Sequence, residues 1–183
     1  MPLLKILLAI FLCASFSYAE SVAEKREAIN TDSQETLTML YKAYPSSKND
    51  IKQAYGYATF SNVGINLIFL SAEGGGGVAV NNKTQKKIYM KMASGGIGIG
   101  LGVKDFRAIF VFDTKEVLDT FVNSGWEANA QADAAAKSDS KGGSLEGAIT
   151  VQPGMRLYKL TKNGLALQAT IQGTKYWKDD DLN

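Results

Sequence analysis

The chain has 183 residues, with 20 Lys and Arg against 18 Asp and Glu, 18 glycines, one cysteine and no histidine. This length predicts one domain, and 45% hydrophobic residues with a net charge of +2 are typical of a globular protein and argue against a nucleic-acid partner. Without histidine the chain lacks the usual neutral-pH general base and the commonest metal ligand, which excludes most hydrolytic mechanisms.

Residues 1–19 predict a secretory signal peptide. Lys5 precedes an apolar run, and Ser17-Tyr18-Ala19 is a small-x-small sequence that predicts cleavage before Glu20. The apolar run is too short to remain as a membrane-spanning helix. We therefore expect a periplasmic or secreted protein whose single domain covers residues 20–183.

Cys13 offers an alternative, since an acylated cysteine would anchor the chain to a membrane as a lipoprotein. Leu12, however, stands where lipoprotein signals have a small residue. We therefore favour signal cleavage, after which no cysteine remains for a disulfide or a zinc site.

Two helices are predicted at the start of the domain. The first begins with a cap at Asp32 and has apolar residues at helical spacing from Leu37 to Tyr44, and Pro45 ends it. A short second helix runs from Ser47 to about Tyr55. Residues 20–30 are either an outward-facing helix or a frayed terminus.

Strands and glycines follow from Tyr57. Short apolar runs predict strands at 57–60, 65–71 and 78–80, with Gly74–Gly77 as a turn and a further turn at 81–84. Residues 86–92 then alternate, with Ile88, Met90 and Met92 on one face and Lys87, Tyr89 and Lys91 on the other. This alternation predicts a strand that is half exposed to water.

The segment 93–103 has a glycine at every second position, namely Gly96, Gly98, Gly100 and Gly102. Read as a strand, it has one face of bare backbone, which marks a close approach by a bulky group. That group is either an intramolecular aromatic ring or helix, for which Phe121 and Trp126 are candidates, or an acyl chain or other ligand.

The second half of the domain is predicted to contain one helix among strands. A buried strand at 105–112 precedes a helix that is capped at 113–116 and ends at Gly125. Strands follow at 145–151, 155–160 and 165–172, the last two joined by a hairpin turn. The fold class is therefore α+β: N-terminal helices, then a mostly antiparallel, glycine-rich sheet that forms a sandwich or partial barrel and is interrupted by one helix.

Known catalytic and nucleotide-binding motifs are absent from the sequence. The glycine-rich segments contain neither a P-loop nor a G-x-G-x-x-G motif. Carboxylate pairs such as Asp113 with Glu116, and the run Asp179-Asp180-Asp181, are expected to cap a helix and to lie in an exposed tail. Binding is therefore a better expectation than catalysis.

The charge is unevenly distributed along the chain. Between residues 83 and 107 six basic side chains face a single acid, Asp105, and these six are Lys83, Lys86, Lys87, Lys91, Lys104 and Arg107. Such a segment could bind anionic lipid headgroups. It could equally be a solvated strand whose lysines protect a sheet edge from aggregation.

Several segments together resemble the SYLF family, a lipid-binding domain of bacterial envelope proteins and of eukaryotic regulators of endocytosis and actin. The resemblance covers about residues 33–178, and its segments are Ala54–Phe60, Glu73–Val80, Gly95–Phe112, Gly125-Trp126, Ala130–Asp133 and Gly164–Trp177. It implies binding of membrane lipid without catalysis, metal or cofactor. Residues 20–35 hold five acids against Lys25 and Arg26, which argues against the phosphoinositide binding of eukaryotic members. The secretory signal argues against actin as a partner.

These observations predict a non-enzymatic phospholipid-binding protein of the periplasm or of the inner face of the outer membrane. The six basic residues are the candidate headgroup site, and the four alternating glycines are a candidate contact for an acyl chain or an aromatic ring. The alternative is a structural or assembly factor that binds an envelope protein through its exposed strands.

Overall fold

A computed structural model describes residues 20–62, 73–94, 106–129, 147–161, 164–165 and 173–183. The predicted signal peptide, the strand at 65–71, the glycine face 96–102 and Lys104 lie outside the described residues.

Three helices are present in the described part of the chain: α1 (Val22–Ala43), α2 (Ser47–Gln53) and α3 (Lys115–Ser124). The start predicted for α1 at Asp32 is wrong, because a capping box at Ser21 starts the helix at Val22. The Ser21 hydroxyl accepts from the backbone N–H of Glu24, and the Glu24 carboxylate accepts from the backbone N–H of Ser21. Of the two alternatives for residues 20–30, the outward-facing helix is therefore the one observed.

The strands form one antiparallel sheet in the order β5-β9-β3-β2-β1-β4-β7-β6, and β8 also pairs with β7. Their bounds are β1 (Gly56–Ser61), β2 (Glu73–Asn81), β3 (Lys87–Ser94), β4 (Arg107–Phe112), β5 (Trp126–Glu127), β6 (Ile149–Gln152), β7 (Met155–Thr161), β8 (Gly164–Leu165) and β9 (Thr174–Lys178). The sheet curls into a half-barrel, so the predicted α+β class and its partial barrel are confirmed. Strand β9 was not predicted.

Gly74–Gly77 lie inside β2 and do not form the predicted turn. Gly77 pairs with Phe60 of β1 and Met90 of β3. A Cβ atom at Gly77 would lie 2.3 Å from Cδ1 of Phe60, and one at Gly75 would lie 2.5 Å from Cε of Met92. These glycines therefore make room for large side chains that fold over the strand.

The core has two parts, one on each face of the sheet. One face holds an aromatic cluster that packs against α3, and its rings are Phe60, Phe110, Phe112, Phe121, Trp126 and Tyr176. The other face packs against α1 and α2 through Leu40, Ile51, Ile109, Val111 and Tyr158. Helix α3 turns Leu118, Phe121 and Val122 inward and ends at Gly125 with φ 72°, as predicted.

Candidate functional site

The turn between β2 and β3 presents two exposed lysines, Lys83 and Lys86. The Asn81 side-chain oxygen accepts from the backbone N–H groups of Lys83 (2.8 Å) and Thr84 (3.1 Å), which forms the turn predicted at 81–84. The Asn82 amide donates to two carbonyl oxygens of the α2 region, at 2.7 and 3.0 Å. Both lysines are therefore held on a well-anchored turn, and neither has a carboxylate partner within the described part of the chain.

A cleft of about 190 Å³ lies between α3 and the β2–β3 hairpin, with Lys86 at its rim. Its apolar lining is contributed by Ala79, Ile88, Leu118 and Val122. Asp119, also in the lining, pairs with Lys115 one helical turn earlier. Asn81 and Asn123 complete the lining, so apolar side chains and polar groups both line the cleft beside an exposed ammonium group. Such a cleft can accommodate a molecule that has an anionic and an apolar part.

Strand β3 alternates as predicted, with Met90 and Met92 buried and Lys87 and Lys91 on the opposite face. It is not an edge strand, however, because it pairs with β2 on one side and β9 on the other. The interpretation of its lysines as protection for a sheet edge is therefore wrong.

Lys87 and Lys91 already have partners within the protein. The Lys87 Nζ donates to the Asn30 side-chain oxygen at 2.8 Å. The Lys91 Nζ lies 2.9 Å from the Asp179 carboxylate and 3.2 Å from that of Asp181. Burial alone would lower the pKa of Lys91, but the hydrogen bonds and charges of the two aspartates outweigh it and hold this pKa above its usual value.

Asp179 was expected in an exposed tail, and the structure corrects this. Its residue exposure is 6%, because the chain end folds back onto the outer face of β3. The local run of three aspartates gave no indication of this contact, since its partner Lys91 is far away in the sequence.

Arg107 does not belong to the basic surface, because it is buried between β4 and α1 with 6% exposure. Its Nη1 donates to the carboxylate of Asp32 at 2.9 Å and to the Thr36 hydroxyl at 2.7 Å. Burial raises the pKa of Asp32, and the positive charge of Arg107 opposes that rise only in part. The guanidinium group therefore fixes α1 to the sheet and is not accessible to a headgroup.

Trp177, with 37% exposure, is a surface residue that the sequence interpretation did not identify. It lies on the outer face of β9 beside Lys91, its register partner in β3. The alternation of buried Tyr176 with exposed Lys175 and Trp177 was the available signal for both the strand and this position.

Within the described residues, no helix has the length and apolar character needed to cross a membrane. The same residues contain no group of three or more acidic, cysteine or histidine side chains placed to hold a metal ion.

A protein from Aeromonas veronii named Beta cell expansion factor A is 39% identical to this chain over 163 residues. The match includes 89% of this chain and 60% of that protein, so the chain spans about three fifths of the length of this curated relative. No family model matches the chain.

Proposed function

We propose that the protein binds anionic phospholipid without catalysing a reaction. The observation that carries the proposal is the position of Lys86 in a cleft of mixed polar and apolar lining between α3 and the β2–β3 hairpin. The cation would contact a headgroup phosphate while Ile88, Leu118 and Val122 contact the first part of an acyl chain. Lys83 on the same turn adds a second cation, and each such charge near an anionic surface contributes about 1 kcal/mol.

The resemblance to the SYLF family supports the same proposal, and we infer on that basis that the chain belongs to this family. The signal-like sequence of residues 1–19 supports a location in the periplasm or at the inner face of the outer membrane. Of the six predicted headgroup residues, Lys83, Lys86 and Lys87 are exposed among the described residues, and Lys87 donates to the Asn30 side chain.

Vesicle co-sedimentation tests the proposal. Protein purified from cells that express the full chain is mixed with vesicles of phosphatidylglycerol and phosphatidylcholine, or of phosphatidylcholine alone. We expect recovery with the anionic vesicles only, and less of it as salt rises, because screening weakens electrostatic attachment. Equal recovery with both vesicles would refute a cationic site.

A charge-matched pair of double variants locates the site. Lys83→Gln/Lys86→Gln should lose most of the binding, whereas Lys42→Gln/Lys48→Gln removes the same charge from exposed positions of α1 and α2 and should retain it. Similar losses in both variants would show a general charge effect and no specific site.

A further inference from the structure

The outer face of β3 carries a group of cations around one aromatic ring. We call Arg26, Lys87, Tyr89 and Lys91 the basic strip. Lys87 and Lys91 flank Tyr89 on the same face of the strand. The guanidinium carbon of Arg26, from α1, lies 5.5 Å from the centre of the Tyr89 ring. Three positive charges therefore converge on a surface built from two separate elements.

Residues 179–183, which we call the acidic tail, contact Arg26, Tyr89 and Lys91 of this strip, whereas Lys87 is exposed. Asp179 and Asp181 bind the Nζ of Lys91, at 2.9 and 3.2 Å. The Asn183 side chain exchanges hydrogen bonds with the backbone N–H and carbonyl of Tyr89, at 2.9 and 2.8 Å. The Leu182 carbonyl accepts from Nε of Arg26 at 2.8 Å, and the Leu182 residue is 5% exposed.

We propose that the basic strip is a second site for a lipid phosphate group and that the acidic tail occupies it until the lipid displaces the tail. This inference rests on the proposed function. The two carboxylates hold the Lys91 ammonium between anionic oxygens, as the oxygens of a phosphate would. The Asp179 backbone N–H also donates to the Tyr89 carbonyl at 3.0 Å, so displacement of the tail breaks this bond together with the two ion pairs of Lys91.

Trp177 supports the assignment to a lipid. It pairs in register with Lys91 and is partly exposed, so an opened strip would present cations next to an indole ring. Tryptophan is enriched at membrane–water interfaces, where its ring lies at the level of the headgroups.

Two single variants of the acidic tail distinguish the effect of releasing Lys91 from the effect of a change in net charge. Asp179→Asn removes a buried partner of Lys91, whereas Asp180→Asn removes the same charge from a side chain that is 89% exposed and faces Lys178 at 3.8 Å. For vesicles of phosphatidylglycerol and phosphatidylcholine we expect Asp179→Asn to bind roughly fivefold more tightly than the unaltered protein. Asp180→Asn should stay within about twofold of it.

The tighter binding expected of Asp179→Asn should depend on the Lys91 ammonium group. Adding Lys91→Gln to Asp179→Asn should therefore abolish the increase in affinity. Circular dichroism checks that each variant folds. If Asp179→Asn does not fold, Leu182→Ala loosens the tail without a change of charge and should give a gain in the same direction.

Amide hydrogen exchange of residues 179–183 follows the displacement directly. We expect faster exchange with the anionic vesicles and no change with phosphatidylcholine alone. If inorganic phosphate at the same phosphate concentration releases the tail equally well, the phosphate site is supported but its assignment to a lipid is overturned.

The other outcomes distinguish this inference from the proposed function. If the unaltered protein binds anionic vesicles and Asp179→Asn binds them no more tightly, the acidic tail does not block a site on the basic strip. The proposed binding at the cleft beside Lys86 is then unaffected. An equal gain in Asp180→Asn also overturns it, because net charge then explains the effect. If neither the unaltered protein nor any variant binds anionic vesicles, both proposals fail.

Discussion

The Tyr176 hydroxyl is a buried donor that has no acceptor within the described residues. The residue is 1% exposed, and its ring centre lies 4.7 Å from that of Phe60 and 4.9 Å from that of Phe110. Leaving a hydroxyl without a hydrogen bond in an apolar environment costs about 1–3 kcal/mol in proteins. Tyr176→Phe keeps the ring and removes this cost, so we expect it to stabilise the protein by about 1–2 kcal/mol.

Urea unfolding followed by circular dichroism measures this change in the free energy of unfolding. In a thermal melt of a domain of this size, each 1 kcal/mol of added stability corresponds to a rise in Tm of about 2–4 °C. Tyr158→Phe is the matched control, because the Tyr158 hydroxyl donates to the Asp50 carboxylate at 2.9 Å. Its removal should destabilise the protein by about 1 kcal/mol. A loss of stability in Tyr176→Phe would show that its hydroxyl does have a partner and would refute the reasoning.

The buried Tyr176 hydroxyl also predicts that the stability of the folded protein decreases at alkaline pH. Burial raises the pKa of Tyr176 far above its usual value, so the folded state favours the protonated phenol. The resulting stability is fully present below the unfolded-state pKa of about 10 and is lost as the pH rises above it. Urea midpoints measured on both sides of pH 10 should therefore fall more for the unaltered protein than for Tyr176→Phe. Parallel curves would contradict the burial of a neutral phenol.

Three further changes test the packing around the sheet. Arg107→Ala leaves the partly exposed Asp32 carboxylate and the buried Thr36 hydroxyl without their common partner, and we expect a loss of about 2–3 kcal/mol in urea unfolding. A stable variant that no longer binds vesicles would instead place Arg107 in the lipid site. Gly77→Ala brings a methyl group to 2.3 Å from both the Phe60 ring and the Thr59 carbonyl oxygen, and we expect a loss of about 1–3 kcal/mol. Phe60→Leu in the double variant should restore only the part that is due to the ring. Ser21→Ala removes the cap of α1, so the first helical turn should exchange its amide hydrogens faster, with α3 as the unchanged internal reference.

Local patterns in the sequence were sufficient to predict several elements and their orientation. The period-2 alternation of β3 correctly placed Met90 in the core and Lys91 on the opposite face, because successive strand residues point to opposite sides. Gly125 correctly marked the end of α3, since its positive φ suits glycine. The predicted α+β class followed from the sum of such local signals.

The N-terminal part of α1 shows where local patterns were insufficient. Residues 22–31 carry few apolar side chains, so their periodicity is weak. The helix is held there by contacts from distant parts of the chain: Arg26 donates to the Leu182 carbonyl, and the Asn30 amide donates to the Tyr89 hydroxyl. No window of neighbouring residues contains both partners.

The sequence by itself determined which side chains share a face of each element, whereas binding without catalysis stays a prediction. Only the tertiary structure decided which cations are accessible. Arg107 lies under α1 and Lys91 lies under the acidic tail, whereas Lys86 reaches the rim of a cleft. The physical reason is that the environment of a charge depends on which distant segments pack against it, and β3 receives its cover from both ends of the described chain.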